Sequence, residues 1–341
     1  MINCISARVP GKVMLAGEYG VLAGGSAILA CVDRYCEVSL VANRGQHELV
    51  TRGYKEGRYT FTIDEHGRCH FDDVTMTPKL RLPLALVEEM PPRKPMRLTV
   101  DTTAFFDGRR KLGLGSSAAV AYALAAVLGV FNSDPEARRG ALNAHGQFQG
   151  GRGSGADIYA VSKGGVIGFK RNDKGARIVR LDWPSRLHAT VLQMRESAST
   201  VSHVSRFEQW RRDDDSAEAF LKSMRADSRA LVSVWRESDE TGIIEALQAL
   251  TARMFELNTR AKLGYLDGGH AELSALGERH GVFVKPCGAG GGDIAIAVSD
   301  DAARLETLIN AAAESGINKM PVSLGIAEPE VVQGPVKEGQ S

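Results

Sequence analysis

The stretch at residues 111–120, KLGLGSSAAV, constrains this chain more than any other: two close glycines, two serines, then small apolar residues opening a helix-period run that reaches Phe131. A helix start carries unpaired N–H groups and a partial positive charge. Side chains trimmed there to glycine and serine leave a docking place for an anion, with phosphate the first choice. The pattern predicts a helix over 117–131, ended by NSDP, and a second from Pro135 toward Gln147 with Asp134 as its cap.

Around these helices the text is mixed. Residues 2–9 and 27–41 read as β-rich segments separated by PGKVMLAGEYGVLAGG, whose proline and glycines break both regular periods. Residues 59–72 read as a hairpin, 96–101 as a strand, 166–170 with 177–183 as a second hairpin, and HATVLQM as a further strand. Charged helical sequence then runs over 201–279 with breaks near Gly242 and Gly264. Strand, glycine loop and strand follow at 281–300, then a helix at 302–315, a last strand near 319–324 and a frayed polar tail from Glu328. Strands and helices without steady βαβ alternation predict an α+β fold.

Length and composition narrow the function. The 341 residues suffice for two modest domains or one large divided one. Forty-two basic against 41 acidic side chains, a formal net charge of +1, give no whole-chain reason to expect nucleic acid or an anionic membrane, so a small-molecule substrate is expected. Five scattered cysteines without a C-x-x-C spacing support neither a disulfide framework nor a zinc site. The opening MINCISARVPGK lacks a signal-peptide core and no apolar run is long enough to span a bilayer, so the expected location is the cytoplasm, without membrane partners.

Four glycine-rich stretches stand out: PGKVMLAGEYGVL, KLGLGSSAA, GRGSGAD and KPCGAGGGD. Each carries a residue suited to phosphate or proton chemistry, namely Lys12, the Ser116–Ser117 pair, Asp157 and Asp293. No stretch supplies the P-loop pattern, and GLGSSA places Ala118 where a dinucleotide fingerprint wants glycine. A different phosphate cradle is required. Each candidate also has a plain structural alternative: a surface lysine for Lys12, an N-cap for Ser116 or Ser117, and a helix-capping role for Asp157.

The ordered set of motifs resembles the GHMP kinase superfamily, whose three motifs match residues 10–22, 111–119 and 285–297. Within it the pattern is most similar to the phosphomevalonate kinases, on GEYGVL where mevalonate kinases place His after Glu, and on KLGLGSSAA, GSGADI, SAST at 197–200 and KPCGAGGGD. The chain departs from its relatives in three ways. AHGQFQGGRGSGAD has no acidic residue before Asp157 where mevalonate kinases carry a metal-binding Glu, Cys287 stands where Ser is usual, and Ile294 where Cys is frequent.

The resemblance implies a GHMP kinase fold with an N-terminal lobe like ribosomal protein S5 domain 2 over 1–185, a ferredoxin-like C-terminal lobe over 186–330 and a flexible tail over 331–341. It implies an ATP- and Mg2+-dependent phosphotransferase, monomeric or homodimeric, converting (R)-5-phosphomevalonate to (R)-5-diphosphomevalonate in isoprenoid biosynthesis. Mevalonate kinase, diphosphomevalonate decarboxylase and a non-catalytic sensor of the same fold are the alternatives. Carried over residue by residue, Lys12 and Asp157 are the expected catalytic pair. Lys111, Gly113, Leu114, Gly115, Ser116, Ser117 and Ala118 would bind ATP, with Ser117 on the metal. Glu18, Tyr19, Arg152, Ser154, Gly155, Ser199, Thr200, Gly288, Ala289, Gly290 and Gly291 would bind substrate. Lys111, Arg152 and Arg195 are the candidate cations for the acceptor phosphate, and His145 is the one histidine close to a motif.

Overall fold

The computed structural model describes residues 3–53, 56–71, 80–132, 136–151, 153–172, 175–196 and 200–335. The chain packs as two units assembled from separated segments, the first from residues 1–12, 33–164 and 327–341, the second from 13–32 and 165–326. Strands β1 (Asn3–Ala16) and β2 (Ser26–Ala42) each contribute to both. β1 continues through Pro10 and Gly11, where the sequence predicts a break. Proline fixes φ near an extended value and removes only a donor, and two residues on, the Lys12 N–H donates to the Leu114 carbonyl at 2.9 Å.

In the first unit, β2 from Asp33 onward alternates, with Cys36, Val38 and Leu40 buried, the period of a sheet with one face on a core. Strands β3 (His47–Arg52), β4 (Gly57–Ile63) and β5 (Cys69–Phe71) follow as antiparallel neighbours. Helix α1 (Arg81–Glu89) provides the crossover that lets β6 (Met96–Asp101) lie parallel to β3 and antiparallel to β2. A small hairpin, β7 (Phe106–Asp107) with β8 (Arg110–Lys111), then feeds the glycines ahead of α2 (Ser116–Asn132). That helix is apolar on all sides and buried over most of its length, and it packs on α1, α3 (Ala137–Phe148) and α4 (Ala156–Lys163). The expected cap at Asp134 and Pro135 lies outside the described residues.

In the second unit, the half of β2 over residues 26–32 is buried at every position and pairs with β9 (Val166–Asn172), itself in a hairpin with β10 (Gly175–Leu181). β11 (His188–Gln193) belongs to another sheet. Four helices follow: α5 (Thr200–Asp213), α6 (Ala217–Glu237), α7 (Glu240–Ala261) and α8 (His270–Arg279). The break at 262–269 contains Gly264, with φ of +76°, where the sequence expects it, whereas Gly242 sits inside the first turn of α7 and the preceding helix already ends on left-handed Ser238. β12 (Phe283–Pro286), β13 (Ile294–Ser299), α9 (Ala302–Glu314) and the short β14 (Asn318–Lys319) complete a sheet of order β12-β13-β11-β14. The strand expected at 319–324 is thus shorter, and Leu324 makes only an isolated bridge to Val32.

Two core clusters of described residues lie within the second unit. One is aromatic, built from Tyr19, Phe207, Trp210, Phe220 and Tyr265 with Met224 and Met254; the other is aliphatic, between the four-stranded sheet and helices α8 and α9. The chain finally returns to the first unit as β15 (Glu330–Pro335), antiparallel to β1 over Asn3–Arg8. The expectation of a flexible tail from residue 331 is therefore corrected over 331–335, where backbone pairing to β1 holds a segment whose Val331 and Val332 are exposed; residues 336–341 lie outside the described residues.

Candidate active site

The candidate residues fall into two clusters, one in each unit. In the first unit, Gly113 and Gly115 adopt φ of +74° and +73°, a conformation glycine takes without strain, and they turn the chain from β8 into α2. Within the first turn of α2 the Ala118 and Ala119 N–H groups donate to the Gly115 carbonyl at 3.1 and 3.3 Å, so what the helix start offers an anion is the positive end of its dipole at Ser116 and Ser117. Leu114 and Ala118 are buried and anchor this turn, Ser116 is buried as well, and Ser117 is half-buried, whereas Lys111 is exposed. A methyl group on Gly115 would lie 2.8 Å from Cε of Lys12. The missing side chain is therefore what lets the lysine stem pass over the loop.

Lys12 reaches Asp157, in the first turn of α4, with 2.9 Å between Nζ and Oδ1 and side-chain exposures of 12% and 27%. At that degree of shielding the charges interact far more strongly than on an open surface. Burial pushes the Asp157 carboxyl up, but the Lys12 charge and hydrogen bond, joined by His145 at the low pH where that ring is protonated, outweigh it and hold it below the ordinary carboxylate value. Ser154 and Gly155 build the approach to this aspartate: the Ser154 hydroxyl accepts from the Ala156 N–H at 3.2 Å, and Gly155 caps α4 with φ of +79°.

His145, on α3, is buried and joined to the Ser117 hydroxyl by a hydrogen bond of 3.1 Å from its Nε2. Burial lowers its pKa first of all, Asp157 opposes, and Lys12 and Lys111 lower it further, so the ring is neutral at pH 7. Ser117 therefore has a fixed partner that the sequence pattern alone did not assign. The described residues contain no group of three or more His, Cys, Asp or Glu able to hold a metal. The Ser117 hydroxyl, with Asp157 in the same cluster, is a donor set that would fit a Mg2+ brought in largely on phosphate oxygens.

In the second unit, Glu18 and Tyr19 have protein partners. Glu18 Oε1 accepts from Nζ of Lys285 at 2.5 Å with both side chains 2% exposed, and the Tyr19 hydroxyl donates to the Ala289 carbonyl at 2.7 Å. Tyr19 carries φ of +53°, unusual for a bulky residue, and its ring packs 5.4 Å from Phe207 and 6.4 Å from Tyr265. Burial, then the Glu18 charge, raise its phenol pKa, with Arg206 opposing, so it stays a donor. Gly290 and Gly291 are required by protein packing, since methyl groups there would lie 2.3 Å from Tyr265 and 2.7 Å from His203, whereas Gly288 faces open space. Arg195 is exposed, Thr200 begins α5, and Arg152 and residues 197–199 lie outside the described residues. Lys285, Tyr265, His203 and His270 around this loop were missed. Their only signal was proximity in sequence to glycine, at Gly264 for Tyr265, at Gly268 and Gly269 for His270 and in the run after Lys285, with none for His203.

Comparison with known proteins is consistent across sequence and structure. Residues 82–165 match the family described as GHMP kinases N terminal domain. The phosphomevalonate kinase of Streptomyces sp. (strain CL190) is 29% identical, over 86% of this chain and 89% of its own length. A mevalonate kinase of Arabidopsis thaliana is 24% identical, over 94% of this chain and 97% of its own length. The structure of Streptococcus pneumoniae phosphomevalonate kinase in complex with phosphomevalonate and AMPPNP superposes with a TM-score of 0.75 at 18% identity, covering 94% of this chain and 99% of that one.

Proposed function

We propose that this chain, a kinase of the GHMP superfamily, transfers the terminal phosphoryl group of ATP to the phosphate of (R)-5-phosphomevalonate, giving (R)-5-diphosphomevalonate and ADP. The observation that carries the reading is the Lys12–Asp157 pair beside a glycine-turned helix start. Phosphoryl transfer asks the protein mainly for alignment and for neutralising charge. In this reading Lys111 and the backbone of residues 113–118 take the ATP phosphates, and Lys12 screens the two approaching phosphate groups. Ser117 would hold a Mg2+ together with the phosphates, and the ion would supply further charge neutralisation when bound. The lobes of the family, 1–185 and 186–330, remain part of the proposal, as does a cytoplasmic location.

The acceptor decides what Asp157 does. A phosphate monoester has a second pKa of about 6 and is mostly ionised at neutral pH, so no base is needed to strip its nucleophilic oxygen. Asp157, itself ionised, then orients Lys12 and the acceptor rather than removing a proton. Ser154, Gly155 and Thr200, with Arg152 and Ser199, belong to the acceptor side in this account. Similarity to the Arabidopsis mevalonate kinase over 94% of the chain favours mevalonate as the second reading; the Tyr at position 19 and the lack of an acidic residue over 144–156 favour the first.

An ADP-release assay run in parallel with mevalonate, 5-phosphomevalonate and 5-diphosphomevalonate tests this directly. Turnover with 5-phosphomevalonate alone is expected. Turnover with mevalonate alone transfers the assignment to a hydroxyl acceptor, carbon dioxide release identifies a decarboxylase, and tight ATP binding without turnover on any of them identifies a sensor.

A further inference from the structure

The third glycine loop, residues 287–293, is held by its carbonyl side. Pro286 O accepts from the Tyr265 hydroxyl at 3.0 Å, Ala289 O from the Tyr19 hydroxyl at 2.7 Å, and Gly292 O from His270 Nε2 at 3.0 Å. Its N–H side is different. The Gly291 N–H donates to Tyr265 O at 3.0 Å, but the N–H groups of Gly288, Ala289 and Gly290 have no hydrogen-bond partner among the described residues. Gly288, Gly290 and Gly291 all have φ between +71° and +76°, and a methyl on Gly288 would meet nothing within 4 Å. Successive unpaired N–H groups in such a turn form a concavity for an anion.

At the root of this loop lies the Lys285–Glu18 pair, 2.5 Å long and dry. A buried ion pair gains little net stability, because desolvation cancels most of the attraction. What it does supply is a fixed distance between β12 and the turn after β1. The same turn carries Tyr19, whose left-handed backbone and doubly packed ring aim one hydroxyl at Ala289. Strain of that kind persists only where the surroundings over-determine it.

We propose that Glu18, Lys285 and Tyr19 are positioning residues that hold the loop by its root and its carbonyls so that the N–H groups of Gly288, Ala289 and Gly290 receive an anionic group of the acceptor. Glu18 and Tyr19 thus act through the loop and not by touching the acceptor. The inference rests on the kinase reading above for the identity of that anion, but not for the latch itself.

Two measurements separate these. Hydrogen–deuterium exchange of the 285–294 peptide needs no substrate: Tyr19→Phe, which removes one hydroxyl from an otherwise intact ring, is expected to speed exchange about tenfold, the worth of one hydrogen bond. Exchange unchanged from wild type overturns the latch whatever the reaction. With whichever acceptor the wild-type chain phosphorylates, Tyr19→Phe is expected to raise the acceptor KM about tenfold and leave the ATP KM within about twofold. Equal changes in both, or neither, overturn the anion-receiving role. Glu18→Gln leaves the Lys285 charge buried without a counter-charge and destabilises the fold, so the double variant Glu18→Leu/Lys285→Met completes the test. Wild-type Tm with a raised acceptor KM is the expected result, and wild-type KM in a folded double variant refutes positioning. A chain inactive on every acceptor but with the expected exchange change would remove the kinase reading and keep the latch.

Discussion

Nζ of Lys12 lies 2.9 Å from Oδ1 of Asp157, and the stem of that lysine crosses the one glycine, Gly115, whose missing side chain makes room for it. The cation, its carboxylate partner and the turn that opens α2 therefore form one packed object, and a change in any of them is felt by the others.

If the acceptor is a phosphate, the two charges are not equivalent. Lys12→Ala is expected to lower kcat on the order of a hundredfold to a thousandfold, the usual cost of deleting a group that stabilises developing charge. Asp157→Asn keeps the shape and a hydrogen-bond acceptor, so its loss is expected to be about tenfold. Steady-state kinetics of the two variants decide the matter: losses of more than about a thousandfold in both would assign Asp157 a base's role instead.

Gly115→Ala combines a strained φ of +73° with a methyl 2.8 Å from Lys12 Cε, whereas Gly108→Ala has φ of +56° and meets nothing within 4 Å. Both should lose about 1 kcal/mol or more of stability from backbone strain. Only Gly115→Ala should also lower kcat, because only there must the lysine move. Denaturant unfolding with kinetics on the same preparations checks both halves, and equal kcat values would contradict the packing argument.

Ser117 and His145 share a hydrogen bond, so their contributions should not add. Ser117→Ala and His145→Ala are each expected to reduce kcat/KM for ATP, and the double variant to be little worse than Ser117→Ala alone. A double-mutant cycle measures this. Multiplicative losses would mean that the histidine acts elsewhere.

Burial lowers the His270 pKa from 6.5 to about 4, the Lys285 charge lowering it further while the Gly292 hydrogen bond and Glu272 oppose. The unfolded chain therefore binds a proton that the folded chain refuses. Stability is full above pH 6.5 and declines as pH falls from there toward 4, by roughly 3 kcal/mol at about 1.4 kcal/mol per unit. His270→Gln, which retains a donor for Gly292 O, should flatten that part of a stability-versus-pH curve. An unchanged curve would show that His270 is not its source.

How much of this was legible beforehand differs by feature. The α2 start, the hairpins and β6 follow from local pattern, since period and turn chemistry act on neighbouring residues. The helix break at 262–269 carries its glycine signal at Gly264, but the one before α7 does not, because a left-handed serine, Ser238, ends α6 and Gly242 is already inside α7. β15 also escaped, because its two adjacent valines are both exposed and show no alternation, and it is held by backbone pairing to β1 that no side-chain pattern records.

By itself the sequence determined the α+β class, the motif set and the kind of chemistry that bare backbone, hydroxyls and one ammonium group can perform. Only the tertiary structure decided partners: Asp157 for Lys12, His145 for Ser117, and Lys285 for Glu18. A glycine in a sequence announces that something comes close or that φ is positive, but which atom approaches is set by segments far away along the chain. That atom proved to be a lysine carbon at Gly115, a tyrosine ring at Gly290 and nothing at Gly288.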